Sequence, residues 1–264
     1  METVCKTLSK SEASINPVIV KLLRLGFVKL ILISNIGQFY KFSNLLTITP
    51  VLKNTITVAS VGAVLIVATA TFLACTTAAG GNKKLRNFVN MSAMGYAFPG
   101  TMLAIGILIT AGTIDNAFRN ILFYPYLSNK SLFISGTISV LLFAYLVRFL
   151  AVGYGANLSG ISKISANVNW ASRTLSGSFS TTITKISIPL IKKSIIAGGL
   201  LAFVDITKEL PMTLLLRPFN FETLATYTYQ FAHDELMEQA AFPALVIILF
   251  GLLPVIFLNN ILRK

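Results

Sequence analysis

Long stretches without charge divide this chain. No charged residue occurs from Asn54 to Asn82, from Asn87 to Ile114 or from Gln239 to Leu262, and a shorter run from Ser131 to Val147 is closed by Arg148. The three long runs exceed the ~20 apolar residues that cover a bilayer core. With the shorter run and two further apolar stretches they predict six membrane spans, at about 17–39, 51–79, 88–112, 132–152, 190–212 and 241–261. Backbone groups in lipid must pair within the segment, so the spans are predicted as helices. The short alternating segments of a membrane barrel are absent. The first span is interrupted by Lys21, Arg24 and Lys29. It reads either as a membrane helix or as an interfacial one whose basic side chains snorkel outward.

Composition strengthens the membrane reading. Hydrophobic residues make up 55% of the 264 and charged residues only 12%, against roughly 25% charged in soluble domains. The net charge of +13 could suggest nucleic acid, but its distribution follows membrane topology instead. With the N-terminus in the cytoplasm, Lys83, Lys84 and Arg86, then Lys163, Arg173 and Lys185, and finally Arg263 and Lys264 all fall inside. The outer loops, 113–131 and 216–240, receive Asp115, Glu222, Asp234, Glu235 and Glu238 with few basic residues. That asymmetry is what an inside assignment requires. Glycines within the spans, Gly95, Gly100 and Gly106, then Gly198 and Gly199, predict close helix approach in a bundle.

Little points to enzyme chemistry. Cys5 and Cys75 are far apart and His233 stands alone, so no disulfide framework or metal cluster is indicated. The polar start of the chain does not read as a cleaved signal peptide. GYGANLSGIS (153–162) is rich in glycine. No strand precedes it and no lysine follows in register, so it reads as a flexible loop rather than a phosphate cradle. Two places carry more information. One is the connection NWASRTLSGSFSTTITKISIPLIKK, within a cytoplasmic loop of about 153–189. It reads either as a helix–break–helix surface for a soluble partner or as an ordinary interfacial connection.

The other is the stretch Asp205, Lys208, Glu209, Pro211 at the end of an apolar run. At 1.5 Å per residue from Pro189, Asp205 to Glu209 lie about 24–30 Å along a helix, on one face by i,i+3 and i,i+4 spacing. They either line a pathway, where two carboxylates suit a hard cation, or form a structural pair near the interface. Arg148 reads as a cytoplasmic-side anchor.

The connection resembles the coupling segment of ABC transporter permeases, anchored on Pro189 with Ile188 before it and Ile186 at the isoleucine position. Ala171 and Ser172 stand at the two alanines, followed by Arg173. Ser176 takes the glycine position with Gly177 beside it, and Trp170 replaces the signature glutamate. A wider resemblance joins MGYAFPGTMLAIGILI, FAYLVRFLAV, ASRTLSG, FVDITKELPMTLLLRPFNFETLAT and AAFPALVIILFGLLPV. Together these are similar to the second half of the iron(III) transport permeases. The resemblance implies an all-α fold, a type I importer permease of about six membrane helices over 46–264, preceded by a divergent segment over 1–45.

It also implies a subunit of the bacterial inner membrane, multi-pass, with both termini cytoplasmic. Such a subunit passes ferric iron inward from a periplasmic binding protein. A dimer of cytoplasmic ATPase subunits would bind the ATP, and a second permease half or an identical copy would complete the pathway. On this view the chain is not an enzyme. It has no catalytic residue, cofactor or resident metal, contacts membrane lipid and binds no nucleic acid. The alternatives are a permease for another solute, such as thiamine or sulfate, and a degenerate half-permease that transports nothing.

Overall fold

The computed structural model describes residues 45–78, 93–122, 134–165 and 179–263, with scattered positions between 84 and 91 and Val168. The candidate span 17–39 lies outside the described residues. Ile48–Lys264 forms one compact unit. Its elements, among the described residues, are helices only. Helix α1 spans Leu45–Ala78, α2 Gly100–Leu122 and α3 Ile138–Ile161; α4 spans Lys192–Thr207, α5 Pro211–Leu216, α6 Leu224–His233 and α7 Met237–Arg263.

Four stretches are long and apolar enough to cross a membrane: Ile48–Ala78, Gly100–Phe118, Ile138–Ile161 and Met237–Asn259. A fifth forms if Ile183–Leu190 and Lys192–Thr207 count as one broken span, bent by 67°. The chain is therefore a multi-pass helical bundle.

Three boundaries differ from those the sequence predicts. The span expected at 88–112 starts only at Gly100, because Ala93–Ala97 winds into a 3-10 turn and Pro99 interrupts the chain before α2. A residue ahead of proline is pushed out of the helical region. Asp115, counted above among the outer-loop charges, consequently sits inside α2. It is buried, and its carboxylate accepts the Ile134 and Ser135 N–H groups at 2.7 and 2.9 Å, tying α2 to the chain entering α3. The span expected at 190–212 ends at Thr207, because Pro211 removes a helix donor and its ring clashes with the preceding turn.

The third difference is the largest. The glycine-rich stretch after Val152 is not a loop; α3 runs through it to Ile161. Here glycine serves close approach. A Cβ on Gly153 would stand 3.1 Å from both Ile66 and Ala70 of α1, and one on Gly198 of α4 would stand 3.2 Å from the Ala156 Cβ. Helix α3 is thus held between α1 and α4 by small residues, where packing overrides the weak helix propensity of glycine. The core alongside is apolar, with Ile66, Leu141, Ala144, Tyr145, Phe149, Ala202, Ile206 and Met212 in one cluster. A buried polar bridge joins α3 to α1 nearby, from Asn157 Nδ2 to Thr71 Oγ1 at 2.9 Å.

Filling the contact should therefore cost stability. Gly198→Leu is expected to destabilise the purified chain by about 1–3 kcal/mol. Gly106→Leu, where nothing lies within 4 Å of the added carbon, is expected to leave it unchanged. Thermal unfolding in one detergent compares the two.

Candidate functional site

The break after α4 gathers the charges. Lys208 closes α4 with its Nζ 2.8 Å from Asp205 Oδ1. The Lys208 side chain is 61% exposed and that of Asp205 16%, so an exposed ammonium reaches in to a largely buried carboxylate. Glu209 follows outside the helix, its N–H donating to Ile206 O at 3.1 Å. Its carboxylate turns inward to Arg148, with Oε1 3.7 Å from Nη1. The Met212 N–H points at the same oxygen at 3.5 Å, and the Thr213 hydroxyl donates to the Glu209 carbonyl at 2.8 Å. The three residues predicted to share one face are thus divided: Asp205 and Lys208 pair with each other, and Glu209 pairs across the bundle.

Arg148 is not a terminal anchor. It stands ten residues into α3, about 15 Å from the helix start, with its side chain 18% exposed. The Phe149 ring lies 5.7 Å from Cζ. One turn earlier, the Tyr145 hydroxyl meets Thr213 Oγ1 at 2.5 Å, with both residues buried. Two residues at i,i+3 on α3 therefore reach two at i,i+4 around the break. Neither contact was legible in the sequence, because Tyr145 and Arg148 read there only as an apolar run and its end.

The second half of the stretch is equally engaged. Arg217 forms an ion pair with Glu222, whose other oxygen accepts the Thr226 hydroxyl at 2.9 Å. Asn220 takes a left-handed backbone, φ 59°, a conformation asparagine tolerates better than most residues. Thr223 then starts α6 with a capping box closed by Thr226. Asn54 and Thr55 of α1 bind this loop, to Glu222 O at 3.1 Å and from Leu224 N–H at 2.8 Å.

At the opposite end of α4, Ile186 lies in a π-helical turn, Ile183–Ser187, and Pro189 in the short helix Ile188–Leu190. The chain then bends at Ile191 into α4. Trp170, Ala171, Ser172, Arg173, Ser176 and Gly177 lie outside the described residues. Among the described residues, Ile186 and Pro189 are thus set apart from Asp205, Lys208 and Glu209 by the sixteen residues of α4, about 24 Å along the axis. Among the described residues no three His, Cys, Asp or Glu side chains gather where a metal could bind.

Two substitutions test this reading of the stretch. Lys208→Met, which removes the exposed partner of a half-buried pair, is expected to cost about 1 kcal/mol. Thr223→Ala, which removes a buried cap, is expected to cost about 0.5–2 kcal/mol. Thermal unfolding of both, with Thr223→Ser as the retained-cap control, checks the two costs.

No family model matches the chain, and no curated protein matches it by sequence. Solved structures do. One belongs to a bacterial alginate ABC transporter in complex with a periplasmic protein carrying an alginate pentasaccharide. It aligns with a TM-score of 0.73 at 15% identity, over 94% of this chain and 91% of that one. Another belongs to a bacterial ABC transporter involved in import of the acidic polysaccharide alginate. Its TM-score is 0.69 at 16% identity, over 99% of this chain and 98% of that one. At such identities the likeness speaks for architecture: the chain has the fold of an ABC importer permease.

Proposed function

We propose that the chain is the membrane-spanning permease subunit of an ATP-driven importer. The observation that carries the reading is the bent element at one end of α4, within a fold shared with importer permease chains. Ile183–Leu190 meets Lys192–Thr207 at 67°, and Lys185, Lys192 and Lys193 are exposed around the bend. Basic residues at a helix end favour the cytoplasmic side. The bend then faces a soluble partner, and Ala171, Ser172, Arg173, Ser176, Gly177, Ile186 and Pro189 form the surface that an ATPase subunit engages. ATP is bound by that partner, a second permease chain completes the pathway, and a periplasmic binding protein delivers the solute.

The proposed cargo is ferric iron, on the strength of the sequence resemblance alone. Asp205, Lys208 and Glu209 are not proposed as its ligands, because their charges are occupied by Lys208, Asp205 and Arg148. Alginate is what the fold neighbours handle, and at 15–16% identity it does not transfer.

Reconstitution tests the reading. The chain is co-expressed with candidate ATPase, permease and binding-protein partners. ATP hydrolysis in proteoliposomes is then expected to rise when the binding protein carries ferric iron. Ser176→Trp is expected to abolish uptake while the chain remains inserted. Uptake by Ser176→Trp equal to that of the unsubstituted chain would contradict the docking surface, and stimulation by a different solute would replace iron.

A further inference from the structure

Arg148 combines deep placement with poor satisfaction. Its guanidinium carries a positive charge, and a charge far from the membrane surface needs a partner. Among the described residues, its Nε and Nη1 are buried without a hydrogen-bond acceptor, and its ion pair is with Glu209 at 3.7 Å. Glu209 is as dependent, with its side chain only 9% exposed. Each charge is tolerable at this depth because the other is there.

The first turn of α2 completes the arrangement. A Cβ added at Gly100 would collide with the Arg148 guanidinium and stand 2.9 Å from Glu209 Oε1. The pair thus sits directly against the backbone where α2 begins, a place that a side chain would fill. That helix start also presents the positive end of a backbone dipole to the Glu209 carboxylate. Beside it, Tyr145 holds Thr213.

We infer that Arg148 and Gly100 are positioning residues that clamp the break between α4 and α5: Arg148 draws Glu209 against the start of α2, and glycine at position 100 leaves the room. The far end of α4 is thereby fixed to α3 and α2 at depth instead of ending free. The clamp stands independently of what the chain transports.

Site-specific thiol labelling tests it. Met212 is fully buried behind Glu209 and Cys75 is buried elsewhere, so a chain carrying Cys5→Ser and Met212→Cys holds one reporter at the break and one remote from it. The full chain in lipid nanodiscs is labelled with a small maleimide, and each site is quantified by mass spectrometry. In the otherwise unsubstituted chain both are expected to label slowly. Arg148→Met or Glu209→Gln is expected to speed labelling at 212 by at least about tenfold, because either leaves a lone charge buried. Cys75 should stay slow. The double variant is expected to label at 212 more slowly than either single one, and Gly100→Leu to open 212 like them.

Equal protection of 212 in the single variants would overturn the clamp. So would parallel exposure of 212 and 75, or a double variant as open as the two single effects combined. If a single variant fails to accumulate, the double variant is still expected to accumulate, since it buries no unpaired charge; its failure as well would overturn the inference.

Discussion

A helix that stops inside a membrane protein leaves backbone groups and charges that water would otherwise satisfy, and the bundle must supply their partners. Here the stop is imposed by Pro211, and the partners come from α3 and α5. The Thr213 hydroxyl takes the Glu209 carbonyl, Tyr145 takes the Thr213 hydroxyl, and Arg148 takes the Glu209 carboxylate. The packing around the break serves these contacts. Gly153 and Gly198 bring α1, α3 and α4 close enough for the α3 side chains to reach across. Gly100 keeps the entry to α2 out of their way.

This gives a physical meaning to the stretch from Asp205 to Thr226. Glu209 and Pro211 make and seal the break, Arg217 and Glu222 close the loop, Asn220 turns it, and Thr223 with Thr226 caps the next helix. Residues that look like the signature of an iron permease have local structural work in this fold. Their presence is accounted for by the architecture.

The membrane class and most spans were legible because uncharged runs of sufficient length have few other readings. Spans 51–79 and 241–261 land within a few residues of the helices. The errors follow from contacts that no local pattern encodes. The stretch GYGANLSGIS reads as a loop by composition, yet is helical because Gly153 packs on Ile66 and Ala70. Asp115 reads as an outer-loop charge, yet is buried as the acceptor for the chain entering α3. Arg148 reads as an anchor because its partner lies sixty-one residues away. The spacing that put Asp205, Lys208 and Glu209 on one face assumed a helix that had already ended. Helix α4 does begin where Pro189 suggested, just past the bend, because a proline near the end of one helix marks a boundary by local sterics alone.

The account turns on whether Glu209 faces Arg148 or an open pathway. A cryo-EM map of the chain in a lipid bilayer, at a resolution that shows side chains, decides this directly. The account predicts the Glu209 carboxylate within about 4 Å of the Arg148 guanidinium, a salt-bridge separation, with both against the backbone of Gly100. A Glu209 side chain turned into a water-filled passage, with Arg148 paired elsewhere, would contradict it.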